Sequence, residues 1–286
     1  MDLNLVNNYI KKFDEVIENP ILDFDKDEFY VGVDLGTANI VMSIVDKDGN
    51  PVAGEVYGSS VVKDGIVVDF VGAIRIVREM KHRLEEKLGI EITKGYTAIP
   101  PGVEKGSVKA IVNVIDSAEI DVVKVVDEPT AASYVLNIKD GVVVDVGGGT
   151  TGISVIKDGE VIFTADEPTG GTHMSLVLAG NYGITFDEAE KIKKDKSKEK
   201  EVFPIIKPVV EKMAHIVKRF LKDYEVEDVY VVGGACTFSE FEQVFEKELK
   251  KKVIKTYKPL LVTPLGIALT GLNSQKTYKE NKRGLL

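Results

Sequence analysis

The sequence predicts an α/β protein made of two like-built lobes, and three observations carry that expectation. At 286 residues the chain reaches the length, about 250–300 residues, at which a single hydrophobic core stops growing. From Phe29 onward, short β-branched runs that read as strands alternate with amphipathic runs that read as helices. The opening of the pattern also occurs twice. Asp34 to Gly49 and Asp145 to Gly159 each run from a strand-end aspartate through a Gly/Thr turn and a returning strand to an Asp-Gly turn.

Each element follows from local pattern. Residues 3–18 space Leu3, Val6, Ile10, Phe13 and Ile17 by threes and fours, one apolar helix face, until Asn19-Pro20 interrupts it. Such a helix either buries its stripe in its own domain or docks a partner. FYVGVD, LGTAN, IVMSIVD and KDGN then read as strand, turn, strand and turn. Residues 73–88 are helical in period, 96–99 form a strand ending at Pro100-Pro101, 105–118 form a helix and 122–126 a strand. Pro129 opens a small-residue helix, PTAASYVLNI, because proline suits a first helical turn. GVVVDV, GGGTTG, ISVIK, DG and EVIFTA start the second half in the same manner. Lys191 to Glu201 mixes both charge signs with no apolar stripe beyond Ile192, the pattern of a solvated helix end or loop. A helix through Met213 and Phe220 follows, then a strand DVYVVGG. Next comes a helix SEFEQVFEKELK, with Ser239 and Glu242 in capping-box spacing. A strand near 252–256 and the small-residue helix PLGIALTGL complete the order.

Composition narrows the function. A balance of 44% hydrophobic and 29% charged residues argues against disorder or a coiled coil. The formal net charge of −9 speaks against a nucleic-acid or anionic-membrane binder, which works through an overall basic balance. Any phosphate must therefore be held locally. The single cysteine, Cys236, makes no intramolecular disulfide, and the N-terminus lacks a signal-peptide pattern, so a cytoplasmic protein is expected. No apolar run approaches the roughly 20 residues of a membrane span. His82, His173 and His215 have no ligand-like spacing with one another or with Cys236, so no zinc site is expected.

A strand-end aspartate followed by a Gly/Thr turn places a metal-water anchor beside backbone N–H groups, which is what a Mg²⁺-bound polyphosphate needs. Asp34 with Gly36 and Thr37, and Asp145 with Gly147, Gly148, Gly149 and Thr150, supply two such turns. Either turn alone is also the ordinary content of a hairpin tip. Gly147 to Gly152 fits G-x-G-x-x-G with Asp166 about 20 residues on, yet a strand follows where a dinucleotide site needs a helix. Gly233 and Gly234 end a strand before a helix, where a nucleotide can rest on bare backbone. Ala131 and Ala132 in one small-residue helix, and Gly266, Ala268 and Gly271 in the other, allow close crossing of backbones.

In order, VGVDLGTAN, VVDEPTAASY, VVVDVGGGTTGISV, VYVVGGAC and TPLGIALTGL resemble the five motifs of the actin, Hsp70 and sugar-kinase superfamily, over roughly residues 29–272. The resemblance implies duplicated ribonuclease H-like domains with ATP and Mg²⁺ in an interlobe cleft. It divides the chain into an N-terminal helix and linker (1–28), lobe I (29–135), lobe II (136–263) and a C-terminal helix returning to lobe I (264–286). VVKDGIVVDFVGAI, VVDVGGGTTGISVIKDG, DEPTGGTHMSLVLAGN and ITFDEAEKIK are similar to the ethanolamine-utilisation protein J family. That likeness implies a chaperone, reactivation or assembly role toward ethanolamine ammonia-lyase or a bacterial microcompartment.

Carried over by motif, Asp34 and Asp145 hold hydrated Mg²⁺, and Thr37, Gly148, Gly149 and Thr150 contact phosphates. Glu128 lies near the attacking water. Glu190 and Lys193 match the adenosine-side helix, Gly233 and Gly234 face the adenosine, and Gly170 and Gly171 line the site. Two departures matter. Gly152 stands at or beside a position that is acidic in Hsp70 proteins and bacterial actins, and glycine cannot accept a proton, so slow hydrolysis of ATP to ADP, or none, is expected. The chain also ends soon after the last motif, so no peptide-gripping β-domain is expected. A partner-reading ATP switch is the leading expectation, with an actin-like filament-forming scaffold as the alternative. A small-molecule kinase ranks last, because no residue assigns its catalytic aspartate.

Overall fold

The computed structural model describes residues 1–283; residues 284–286 of the predicted C-terminal helix lie outside the described residues. The chain divides into two units, one formed by residues 1–138 with the segment from Leu261 onward, the other by Lys139–Leu260.

The first unit begins with α1 (Leu3–Glu18), whose first turn is capped by Asp2 Oδ1 accepting from the Asn4 N–H at 3.0 Å. Val6, Ile10, Phe13 and Val16 are its buried residues. The stripe therefore turns in through Val16 rather than Ile17, and Leu3 stays exposed. It packs within its own unit, where the absence of a side chain at Gly54 admits the Phe13 ring; a Cβ there would come within 2.6 Å of it. A five-stranded sheet follows from β1 (Phe29–Leu35), β2 (Asn39–Asp46) and β3 (Pro51–Gly58). A small hairpin of β4 (Val62–Lys63) and β5 (Ile66–Val67) leads into α2 (Phe70–Leu88). Then come β6 (Lys94–Ile99), α3 (Lys105–Ser117), β7 (Asp121–Asp127) and α4 (Glu128–Leu136). The sheet order is β3-β2-β1-β6-β7, antiparallel among the first three strands and parallel onward from β1.

The second unit repeats this plan with β8 (Gly141–Val146), β9 (Thr151–Lys157) and β10 (Glu160–Glu167). Helices α5 (Gly171–Tyr182), α6 (Phe186–Lys194) and α7 (Glu199–Phe220) precede β11 (Asp228–Val232), α8 (Phe241–Leu249) and β12 (Lys252–Lys255). Its order is β10-β9-β8-β11-β12, with the same directions position by position. Val142, Val144, Ile153, Val155 and Val231 meet Met213, Val217, Phe241 and Phe245 in its core.

The last helix, α9 (Val262–Arg283), belongs to the first unit. The small-residue crossing read from sequence is present. A Cβ on Gly266 would lie 1.9 Å from the Ala131 carbonyl oxygen on α4, and one on Gly32 would lie 2.6 Å from the Ala268 nitrogen. The Ser43 hydroxyl donates to the Pro264 carbonyl at 2.6 Å.

One sequence expectation is corrected. The capping box at Ser239 and Glu242 does not form, and α8 starts at Phe241 behind Glu240 with no side-chain cap. Both groups are diverted to residues distant in sequence, since the Ser239 N–H donates to Glu199 and the Glu242 carboxylate pairs with Lys255. The charge run from Lys191 to Glu201 likewise proves more than a solvated face: it ends α6, forms a 3-10 turn at Lys196–Lys198 and opens α7.

Candidate functional site

In the second unit the site grows from the C-terminal end of β8, the strand at which the sheet changes from antiparallel to parallel pairing. Open α/β sheets place ligands at the carboxyl ends of their strands. Asp145 is next to last in β8 and is 5% exposed. The Gly147 N–H donates to the Thr150 carbonyl at 3.0 Å, which closes the turn, and β9 begins at Thr151. A strand thus follows the glycines, and the dinucleotide reading fails for want of a helix. Gly152 is paired with Asp145 on one side and with Asp166 on the other.

The first N–H groups of α5 hold the turn from behind. Gly171 N–H donates to the Gly147 carbonyl at 2.9 Å, and Thr172 N–H donates to the Gly148 carbonyl at 2.7 Å. A trans peptide points its C=O and the following N–H in opposite directions. Tying those two carbonyls to α5 therefore turns the N–H groups of Gly148 and Gly149 away from it. Gly170 must be glycine for this docking, because a Cβ would lie 2.7 Å from the Gly148 oxygen and 2.8 Å from the Gly147 oxygen.

Glu190 and Lys193 on α6 brace the same place. Lys193 Nζ donates to the Gly171 carbonyl at 2.9 Å and contacts Glu190 Oε2 at 2.6 Å. The Ser175 hydroxyl donates to Glu190 Oε2, and Lys194 contacts Glu190 Oε1 at 3.2 Å. Burial pushes the Glu190 carboxyl up, but Lys193, Ser175 and Lys194 together hold it below the ordinary glutamate value. Burial also draws Lys193 below the ordinary lysine value against the pull of Glu190. The 2.6 Å contact with Glu190 and the second bond, to Gly171, keep the pair charged at neutral pH.

Gly233 completes this half. Its φ of +93° and an added Cβ only 2.4 Å from Asp145 Oδ1 both require glycine, so the end of β11 lies against the aspartate. A Cβ on Gly171 would be 3.4 Å from the Ala235 side chain, just past Gly234. The structure thus gathers Asp145, the Gly147–Thr150 turn, Gly170, Gly171, Glu190, Lys193, Gly233 and Gly234 in one unit. Sequence reasoning missed Ser175; its signal was the four-residue spacing from Gly171, which lets its hydroxyl reach back to that carbonyl at 3.3 Å.

In the first unit Asp34 lies next to last in β1, opposite Val41, and Gly36 and Thr37 form the turn to β2. Gly36 sits where a Cβ would come within 2.8 Å of the Asn39 carbonyl oxygen. Glu128 is the first residue of α4, directly after Asp127, whose carboxylate caps the helix by accepting from Thr130 N–H at 2.9 Å and Thr130 Oγ1 at 2.7 Å. Asp34 and Asp127 stand at the carboxyl ends of parallel strands, with β6 between them.

The fit to Mg²⁺ and a polyphosphate rests on the Cβ-free, N–H-presenting turn beside Asp145. Among the described residues no three His, Cys, Asp or Glu side chains gather as a metal-binding group. Water and phosphate oxygens would supply the remaining ligands, as Mg²⁺ prefers. Among the described residues no helix is long and apolar enough to cross a membrane.

The chain is similar to known proteins in sequence and in fold. The sequence family described as type IV pilus assembly protein PilM matches residues 102–262. Ethanolamine utilization protein EutJ of Escherichia coli K12 is 42% identical over 245 residues, covering 85% of this chain and 86% of the relative. The crystal structure of EutJ from Carboxydothermus hydrogenoformans is similar at 49% identity with a TM-score of 0.87, covering 94% of this chain and 99% of the other. MreB5 of Spiroplasma citri bound to ADP is similar in fold, with a TM-score of 0.69 at 17% identity, covering 91% and 99% of the two chains. The fold is accordingly an α/β fold related to that of the actin and Hsp70 ATPases.

Proposed function

The chain belongs to the EutJ family of ethanolamine utilization proteins and, through residues 102–262, to the PilM sequence family; on that premise we propose that it is an ATP-dependent conformational switch serving ethanolamine utilisation. The observation that carries the reading is the turn Gly147–Thr150, whose Gly147 and Gly148 carbonyls are tied back to α5 so that the N–H groups of Gly148 and Gly149 face the other way, the arrangement that an anion site needs. Gly148, Gly149 and Thr150 would bind phosphate oxygens, and Asp145 would hold hydrated Mg²⁺. In the first unit Asp34, Gly36 and Thr37 form the corresponding turn with the same duties, on ribonuclease H-like domains of duplicated plan, and Glu128 orients the attacking water. Bound Mg²⁺ would supply neutralisation of the phosphate charge. Gly233 and Gly234 offer bare backbone to the adenosine.

Hydrolysis is slow or absent, because Gly152 gives no carboxylate at the strand position opposite Asp145. The product that matters is a change of state, read by a partner that binds one nucleotide form better than the other. Ethanolamine ammonia-lyase, or a protein of a bacterial microcompartment, is the partner we propose, with the switch acting in the cytoplasm in reactivation or assembly.

Calorimetric titration with ATP and Mg²⁺, set against an Asp145→Ala variant and followed by a phosphate-release assay, tests the reading. Wild-type binding, weakened at least about tenfold in the variant and accompanied by little phosphate release, is the expected result. No binding by the wild type would sink it.

A further inference from the structure

The loop from Gly233 to Glu240 leads from β11 into α8, which has no side-chain cap, and its backbone is held at Gly233, Gly234, Thr237, Phe238 and Ser239. The Gly233 N–H donates to the Pro259 carbonyl at 3.0 Å. Cys236 Sγ donates to the Gly233 carbonyl and Thr237 Oγ1 to the Gly234 carbonyl, each at 3.1 Å. The other anchors come from afar. Lys196 Nζ donates to the Thr237 carbonyl at 3.0 Å, Lys255 Nζ donates to the Phe238 carbonyl at 2.5 Å, and Glu199 accepts from the Ser239 N–H. Lys196 and Glu199 also contact each other at 3.3 Å, which fixes the two ends of the latch together.

From these contacts we infer that Lys196 and Glu199 are positioning residues for the adenosine side of the nucleotide site. Lys193, three residues before Lys196, holds Gly171 beside the phosphate turn, while Lys196 and Glu199 hold the loop that follows Gly233 and Gly234. One short charged segment therefore straps together the two glycine stretches of the second unit and sets their spacing. Bare backbone recognises a ligand only where it is held in place; in catalysis a misplacement of about 1 Å can cost a factor on the order of 10² in rate. The inference rests on the ATP reading and deepens it by assigning the adenosine half to a latch.

The test compares binding of ATP and of inorganic tripolyphosphate, both with Mg²⁺, in the full chain by calorimetry. Glu199→Ala is expected to weaken ATP about tenfold while tripolyphosphate binding stays within about twofold. Glu199→Gln should restore most of the ATP affinity, because its amide oxygen still accepts from the Ser239 N–H, a rescue that general loosening of the fold would not give. Lys196→Ala alters a side chain that is 67% exposed and leaves the core untouched, so it reports even if the Glu199→Ala chain does not fold; about threefold weaker ATP binding is expected. Wild-type ATP affinity in both alanine variants, or equal losses for ATP and tripolyphosphate, overturns the latch. A wild type that binds neither ligand removes the nucleotide reading itself, and the latch with it.

Discussion

Glu190 receives two ammonium groups and a hydroxyl at a place where burial alone would push its carboxyl upward. Its folded value is held below the ordinary 4.5, so the stabilisation it contributes is present above that value and is lost as pH falls through the folded one. Glu190→Gln is therefore expected to cost about 1–3 kcal/mol at pH 7, and much less at a pH below the lowered folded value, where the wild-type carboxyl is itself protonated. Urea denaturation at the two pH values checks this. An equal cost at both would mean that the carboxylate charge does not carry the contact. Lys193 works in the opposite sense, since burial disfavours its charge, and the bonds to Glu190 and Gly171 offset that cost.

At the scale of elements, the crossing of α4 and α9 depends on the missing side chain at Gly266. An alanine there would put its Cβ 1.9 Å from the Ala131 carbonyl oxygen, so the helices must move apart, at a cost of about 1–3 kcal/mol or more. Gly180 on α5 has nothing within 4 Å of such a Cβ, so Gly180→Ala should stabilise by about 0.5–1 kcal/mol through helix propensity. Thermal denaturation should show shifts of opposite sign, and a neutral Gly266→Ala would refute the tight crossing. The contrast explains what could be read in advance. Helices with an apolar period, such as α2 and α3, and turns that exclude a Cβ leave their mark in the local sequence. Ser239 and Glu242 had the spacing of a cap, but Glu199 and Lys255 claim them from 40 residues upstream and from the following strand, and no local pattern encodes that competition. Lys196 and Glu199 looked like a solvated charge run for the same reason. The Gly147–Thr150 turn was legible because its glycines stand together directly after a strand-end aspartate; Ser175, Lys196 and Glu199 were not, because many residue types can stand at those positions until the fold brings their partners close.

At the scale of the whole molecule, the repeat seen at Asp34 and Asp145 extends to two five-stranded sheets with the same order and directions. Each sheet has a core of its own. Among the described residues, that of the second unit draws on residues between Val142 and Val253, and its central strand β8 has both neighbours, β9 and β11, within the contiguous segment 139–260. A closed core and a complete sheet are what a domain needs to fold alone. The excised segment 139–260 is therefore expected to melt in one cooperative transition and to give a dispersed amide spectrum. Segment 1–138 is the control. Without α9 it loses Val262, Leu265, Ile267, Ala268 and Leu269, all buried, and leaves β1 and α4 without the helix that packs on them, so its melt should be broad and its apolar surface should bind a hydrophobic dye. Dye binding and a broad melt in 139–260 would show instead that its core does not close within the unit, and the topological repeat would then not correspond to independent folding.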